Sequence, residues 1–329
     1  MPAMMYVARH RKPSRRLGAE SRAGSQVHLG PGINIKMIKE IKEKKMAELL
    51  KGKAVAAKLT ETSREKAEQL REQGIVPTLA IVRLGENPSD LSYEKGALKR
   101  AEQTGIQVKQ FVLPEDISQE ALIAEIRKIN AADGIQGVLM FRPLPKHIDE
   151  KAVCETLDPA KDMDGITSGS MAGVFMDSSV GYPPCTAKAV MEMLDYYGVE
   201  LKGKKVTVFG RSLVIGKPVA MMLMREHATI TICHSRTGAE DFAKAGKEAD
   251  IVVAAIGRAK MIGADKLGED QIIIDVGINV DENGKLCGDV DFDEAEPAEK
   301  SIKPVPGGVG GVTTAVLMKH VIEAAEKTL

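Results

Sequence analysis

Apolar and polar positions alternate along this chain in two series of helix and strand patterns. Residues 52–73 (GKAVAAKLTETSREKAEQLREQ) carry the 3.6-residue period of an amphipathic helix, stopped by Gly74. Residues 78–82 (TLAIV) form a short β-rich run closed by Gly85. Ser89 or Asp90 is placed to cap a second helix, which Gly105 ends. Residues 106–113 predict a strand, Ser118 caps a helix running through Ala131, and residues 137–141 (GVLMF) predict a buried strand before the breaker run Pro143-Leu144-Pro145.

The second series opens near Thr186. It predicts a helix over 187–197 ended by Gly198, a strand over 205–209 (KVTVF), a glycine-bearing turn over 210–216 and a helix over 217–226. A strand over 229–233 (TITIC), a helix over 239–248, and strands over 250–256 and 271–276 follow. Strand and helix in alternation imply an α/β protein with mostly parallel, covered sheets: a βα substrate domain and a doubly wound, Rossmann-type nucleotide domain. The last helix, 312–327, is expected to pack back on the first domain. The domains expected are therefore 46–185 with 312–329, and 186–311.

Residues 1–45 read differently: Arg9, Arg11, Lys12, Arg15, Arg16 and Arg22 stand among few acids, without apolar periodicity before Ile33. A transit peptide, a disordered tail and a start codon set too early all give this pattern. The run Lys39-Glu40-Ile41-Lys42-Glu43-Lys44-Lys45 before Met46 has the purine-rich codons of a translated ribosome-binding site, so folding is expected to begin at Met46.

Composition narrows the function classes. The 329 residues carry 46 Lys+Arg against 46 Asp+Glu, which leaves no global charge to draw in nucleic acid or an anionic membrane. Aromatics are 3% and Trp is absent, so a base-stacking platform is not expected. No apolar window is long enough to span a bilayer. Cys154, Cys185, Cys233 and Cys287 are scattered, without a CxxC pair, and read as small buried apolar side chains in a reducing cytoplasm; no metal site is expected.

The clearest candidate chemistry follows the KVTVF strand, where the chain reads Gly210-Arg211-Ser212-Leu213-Val214-Ile215-Gly216-Lys217-Pro218. Gly210 permits a tight turn, Gly216 lets the backbone approach a pyrophosphate, and the helix start supplies free N–H donors. The strand TITIC then ends in His234-Ser235-Arg236-Thr237, where an NAD enzyme carries an acid for the ribose hydroxyls. Arg211, Ser235 and Arg236 are donors suited to a 2′-phosphate, so NADP is favoured over NAD. His234 reads as a strand-end polar residue.

Taken in order, further blocks resemble one family. Gly85-Glu86-Asn87-Pro88-Ser89 with Ser92-Tyr93, Pro143-Leu144-Pro145, Pro159 to Gly165 (PAKDMDG), Pro184-Cys185-Thr186, Gly210-Arg211-Ser212 with Val214 to Pro218, Asp275 to Asn279 (DVGIN), Gly288-Asp289-Val290 and Pro304 to Gly310 (PVPGGVG) are similar to the blocks of the bifunctional methylenetetrahydrofolate dehydrogenase/methenyltetrahydrofolate cyclohydrolases. The resemblance covers residues 46–329. It implies oxidation of methylenetetrahydrofolate by hydride transfer to NADP, hydrolysis of the methenyl product to formyltetrahydrofolate, and a cytoplasmic homodimer. It further implies that Tyr93 and Asp164 touch the folate, that Pro306, Gly307, Gly308 and Thr313 line its site, and that Gly210, Arg211, Ser212, Gly216, Ser235, Arg236 and Ile278 hold the cofactor.

Two positions depart from the family pattern. The lysine expected four residues after the tyrosine is Ala97, and the glutamine expected before the PLP turn is Phe141. The family's hydrolytic step draws on that lysine and glutamine. Arg100 returns to the helix face of Tyr93 one turn further along and is the candidate replacement cation, whereas Lys95 and Lys99 fall on other faces. Gly311-Val312-Thr313, where the family has PMT, is a milder departure. Three readings stand: a dehydrogenase with weakened hydrolysis, a fully bifunctional enzyme, and a catalytically silent folate or NADP binder. A two-domain dehydrogenase of a small acid is disfavoured by the KDMDG and PVPGGVGG blocks.

Overall fold

The computed structural model describes residues 7–9, 48–49, 51–292 and 309–329. The first α/β unit begins with helix α1 (Gly52–Glu72), followed by strand β3 (Thr78–Leu84), α2 (Pro88–Thr104), β4 (Gln107–Leu113), α3 (Gln119–Asn130) and β5 (Gly137–Met140). Its three strands run parallel in the order β4-β3-β5. Strand β3 is buried along its whole length, as a central parallel strand must be, and extends two residues beyond the TLAIV run. Helix α2 is capped by Asn87, whose side chain accepts from the Ser89 N–H, with Pro88 in the first turn. The cap is thus earlier than Ser89 or Asp90, because Pro88 has no N–H to lose and its φ suits the first turn.

A short helix α4 (Glu150–Cys154) and helix α5 (Ser168–Met176) lead into α6 (Cys185–Tyr196). The second unit then runs β6 (Lys205–Phe209), α7 (Gly216–Arg225), β7 (Thr229–Cys233), α8 (Ala239–Lys247), β8 (Ile251–Ala254) and β9 (Ile272–Asp275). Its parallel strands lie in the order β9-β8-β6-β7. A small antiparallel pair, β10 (Asn279–Val280) and β11 (Leu286–Cys287), follows. The last helix, α9 (Val309–Glu326), starts three residues earlier than its pattern suggested.

Helix α9 packs along α1, α6 and α2, and Val312, Ala315, Val316, Leu317, Val321 and Ala325 are buried there. The same apolar core continues through α6 to Val206 and Val208 of β6, so α6 and α9 join the two sheets. Cys154, Cys185 and Cys233 are buried free thiols, and Cys287 is half-buried.

The amino-terminal segment adds something its composition did not suggest. Strand β1 (Val7–Arg9) pairs antiparallel with the outer edge of β9, and β2 (Glu48–Leu49) pairs with β1. An unpaired strand edge offers a row of free N–H and C=O groups, and β1 satisfies it. The remaining residues of 1–47, with the Met46 start, lie outside the described residues.

Candidate functional site

Tyr93, on α2, is half-buried, and its ring meets Phe141 edge to face, with centroids 5.8 Å apart and planes at 83°. Phe141 follows the last residue of β5 and also lines an open groove of about 1090 Å3 walled by the PLP turn and the acids Glu86, Asp90, Glu115 and Asp116, which neither Tyr93 nor Asp164 lines. Burial raises the Tyr93 phenol well above its ordinary pKa, and the nearby Asp164 carboxylate and Cys185 push in the same direction. The phenol is therefore neutral at working pH. Tyr93, Phe141 and Asp164, scattered over about seventy residues of sequence, share one site.

Asp164 sits in a loop that four groups hold in place. Its Oδ1 accepts the Cys185 main-chain N–H, 3.0 Å away, at the start of α6. The neighbouring Asp162 is fully buried and accepts from the N–H groups of Ile166 and Thr167 and from the Ser170 hydroxyl. Burial raises the pKa of Asp164, against the pull of the Cys185 N–H.

The position of the expected lysine, Ala97, is wholly buried between α2 and its neighbours. Lys95 and Lys99 are exposed. Arg100, the candidate replacement cation, is committed elsewhere. Its guanidinium donates to Thr60 Oγ1 on α1 at 2.8 Å, to Gln103 at 3.2 Å and to the Gly311 carbonyl of α9 at 3.2 Å. It ties three helices together rather than reaching Tyr93 or Asp164, because the extra helical turn carries it past the ring. Arg142 lies 3.4 Å from Glu150, whose other oxygen accepts the Leu144 N–H and so fixes the PLP turn, and its charge lowers the Asp164 pKa slightly against the effect of burial. The Arg142–Pro143 bond is cis.

Thr313, in the first turns of α9, is 4% exposed, and its Oγ1 has no hydrogen-bond partner among the described residues. A buried hydroxyl left unpaired costs about 1–3 kcal/mol, so Thr313 is a natural place for a ligand's polar group. Pro306, Gly307 and Gly308 lie outside the described residues.

At the second sheet the turn after β6 is built for close approach. Gly210 has φ +128°, and a Cβ there would collide with the Ala255 carbonyl. A Cβ on Gly216 would collide with the Gly210 carbonyl. The Ser212 hydroxyl accepts from Ile215 N–H at 3.1 Å and Gly216 N–H at 3.4 Å, shaping the entry to α7. Arg211, Ser235 and Arg236 are exposed at the ends of the adjacent strands β6 and β7. Ile278 is half-buried beyond β9. The first turn of α7, expected to supply free N–H donors, spends them inside the turn: Ser212 takes the Gly216 N–H on its hydroxyl and the Lys217 N–H on its carbonyl, and Pro218 has none. The exposed donors Arg211, Ser235 and Arg236 are what suits a dinucleotide with an extra phosphate.

Three buried carboxylates have partners that the sequence does not name. Asp289 is buried and accepts from Ile256, Gly257 and Arg258 N–H and from the Asn279 side chain, fixing the loop after β8. Asp275 accepts from Gly277, Asp289 and Val290 N–H, and burial pushes its pKa up to about 7. Beside Tyr93, Glu94 forms a buried ion pair with Arg83 at 2.9 Å and accepts from Gln110 at 2.7 Å. The DVG and GDV blocks were the signal for the first two; nothing local marks Arg83–Glu94, because the partners come from different elements.

The chain matches the family model described as the tetrahydrofolate dehydrogenase/cyclohydrolase catalytic domain over residues 50–164. It matches the corresponding NAD(P)-binding domain over residues 184–329. It is 51% identical to the bifunctional protein FolD of Carboxydothermus hydrogenoformans over 283 residues, 85% of this chain and 98% of that one. It is 47% identical to the protein of the same name from Clostridioides difficile over 279 residues, 85% of this chain and 96% of that one. Among solved structures, the bifunctional FolD dehydrogenase/cyclohydrolase of Campylobacter jejuni superposes with a TM-score of 0.81 at 36% identity, covering 85% of this chain and 99% of that chain. The Trypanosoma brucei enzyme, solved with NADP and an inhibitor, superposes with a TM-score of 0.77 at 34% identity, covering 84% and 97%.

Proposed function

The chain belongs to the tetrahydrofolate dehydrogenase/cyclohydrolase family, and on that premise we propose that it oxidises methylenetetrahydrofolate to the methenyl form with NADP and hydrolyses the methenyl form to formyltetrahydrofolate. The observation that carries this reading is the convergence of Tyr93 and Asp164 beside the start of α6, in a chain that exposes Arg211, Ser235 and Arg236 at the ends of adjacent strands.

NADP, when bound, supplies the hydride acceptor. The backbone from Gly210 to Gly216 would hold its pyrophosphate and Ile278 would pack beside it. Arg211, Ser235 and Arg236 would hold the ribose 2′-phosphate. Orientation is the protein's main contribution. The neutral Tyr93 ring offers a face for the flat part of the folate, Asp164 accepts from its pterin N–H groups, and the Thr313 hydroxyl pairs with a polar substituent. A carboxylate near the site also favours the cationic methenyl product as it forms.

Hydrolysis adds water to the methenyl carbon, opens one carbon–nitrogen bond and releases a proton. With Ala97 and Phe141 in place of the lysine and glutamine, this step has less proton-transfer help than the hydride step has orientation. The enzyme is thus proposed to be a strong dehydrogenase and a slower cyclohydrolase. Following NADPH and the methenyl chromophore together tests this: both should rise, with methenyl decaying later. An absence of NADPH with both ligands bound would overturn the dehydrogenase assignment.

The same reading makes the protein a cytoplasmic homodimer with no nucleic-acid or membrane partner. No described helix is long and apolar enough to cross a membrane. Light scattering at micromolar concentration reads the oligomeric state, and a monomer there would remove the dimer from the proposal.

A further inference from the structure

Asp164 follows Met163, a residue gripped at every group it has. The Met163 side chain is wholly buried against Gly137 of β5, where any Cβ would collide with its Cγ and crowd Val321 of α9. The Met163 N–H donates to the Val138 carbonyl at 3.3 Å. Its carbonyl accepts twice: from His320 Nδ1 on α9 at 2.9 Å, and from the Cys185 thiol on α6 at 3.1 Å. A carbonyl has two lone pairs, and both are used here.

His320 is out of character with its helix. It is 1% exposed, stands among Val316, Leu317, Val321 and Ala324, and stacks 5.1 Å from the Tyr182 ring. Because a carbonyl can only accept, Nδ1 carries the hydrogen and the ring is a neutral donor. A polar group is costly in such a place unless it meets a partner, and the partner is the peptide next to Asp164.

We infer that His320 is a positioning residue for the folate step: with Cys185 it pins the Met163 carbonyl, and so sets where the Asp164 carboxylate stands. The inference rests on the proposed contact between Asp164 and the substrate. Cys185 serves twice, with its thiol on Met163 and its N–H on Asp164 itself. The clamp therefore joins α6 and α9, the two helices that link the sheets, to one carboxylate.

The test compares KM for methylenetetrahydrofolate, KM for NADP, and melting temperature in the full-length protein. His320→Leu removes the donor, and His320→Asn keeps one that can reach the same carbonyl. Asp164→Asn is the reference. His320→Leu should raise the folate KM about tenfold, the scale of one lost positioning hydrogen bond, while the NADP KM stays within about twofold. His320→Asn should recover most of the difference. In the Asp164→Asn background, His320→Leu should add nothing further, because both act through one group.

A folded His320→Leu protein with an unchanged folate KM overturns the inference, as does a parallel rise in both KM values. Should that variant not fold, Cys185→Ala removes the other donor and must raise the folate KM alone; no rise again overturns it. If Asp164→Asn itself leaves the folate KM unchanged, the contact between Asp164 and substrate is wrong and the inference falls with it. The two failures are thereby told apart.

Discussion

Phe141 packs edge to face with the Tyr93 ring, 5.8 Å between centroids, at the position where the family pattern puts a glutamine. An amide there could hold water or the lysine four residues beyond the tyrosine; a phenyl ring can do neither. Ala97 completes the change, because it is wholly buried and presents only a methyl group. We expect the double variant Ala97→Lys/Phe141→Gln to raise the ratio of cyclohydrolase to dehydrogenase rate at least about tenfold, the lower range of what a positioned proton-transfer group contributes. Burial would lower the pKa of the new lysine and suit it to proton transfer, while its charge near the core lowers the melting temperature. Methenyl accumulation during turnover reads the ratio. An unchanged ratio in a folded protein would mean that hydrolysis never depended on these two positions.

His320 also gives the fold a pH signature. Burial lowers its pKa from 6.5 to about 4, helped by Lys188 and Lys319, while the Met163 carbonyl and Glu192 pull the other way. Between those values the unfolded chain binds a proton that the native protein refuses. Stability contributed by the neutral ring is thus whole above pH 6.5 and declines as pH falls toward 4. The full loss is about 3 kcal/mol, since each pKa unit is worth about 1.4 kcal/mol. Denaturant unfolding of the native protein and His320→Asn at several pH values between 4 and 7 should show the gap between them narrowing as pH falls. Parallel curves would mean that His320 titrates normally in the native state.

How far the sequence carried the reading depends on the range of the interaction. Helices α1, α3 and α7 and strands β3, β6 and β7 were legible because each repeats its period over several residues and ends in a cap or a glycine. The Gly210 turn was legible because a strand, a glycine and a helix start adjoin in sequence. What stayed hidden is built across distance. Arg100 lies on the right helix face, yet Thr60 and Gly311, 40 and 211 residues away in sequence, claim its guanidinium. His320 is 157 residues from the Met163 carbonyl it holds. Its one local sign was a lone imidazole in an apolar helix, which does not name a partner. The pairing of β1 with β9 was equally out of reach, because three residues carry no period.

The cofactor turn yields a sharper prediction. Gly210→Ala must both hold a side chain at φ +128° and move the Ala255 carbonyl. Gly216→Ala, at a helical φ, meets the Gly210 carbonyl and the Arg211 Cα. The first should lower the melting temperature and abolish NADP binding. The second should lower the melting temperature less, because its φ is allowed, and should weaken NADP at least about tenfold, because the clash displaces the loop that is proposed to hold the pyrophosphate. Titration of NADP into each variant, followed by intrinsic tyrosine fluorescence or calorimetry, measures both. Native affinity in Gly216→Ala would show that the pyrophosphate does not lie on this turn.

On the proposed reading, cofactor choice is set at the end of β7. There the His234 main chain is held by Thr237 Oγ1 at 2.9 Å, and the His234 ring accepts the Arg236 N–H at 3.1 Å. This tight turn leaves the side chains of Ser235 and Arg236 exposed, with Arg211 exposed on the neighbouring strand's turn. A 2′-phosphate carries close to two negative charges and rewards donors; a ribose hydroxyl rewards a carboxylate. Ser235→Asp should therefore raise the KM for NADP at least about a hundredfold and lower that for NAD, since it adds repulsion to one and a hydrogen bond to the other. Arg236→Ala should raise the NADP KM alone, about tenfold, and the penalty should shrink as salt screens the remaining charges. The measurement is kcat/KM for both cofactors in each variant at two ionic strengths. If Ser235→Asp changes both cofactors equally, the 2′ position of the ribose does not face this turn, and the preference for NADP must be set elsewhere.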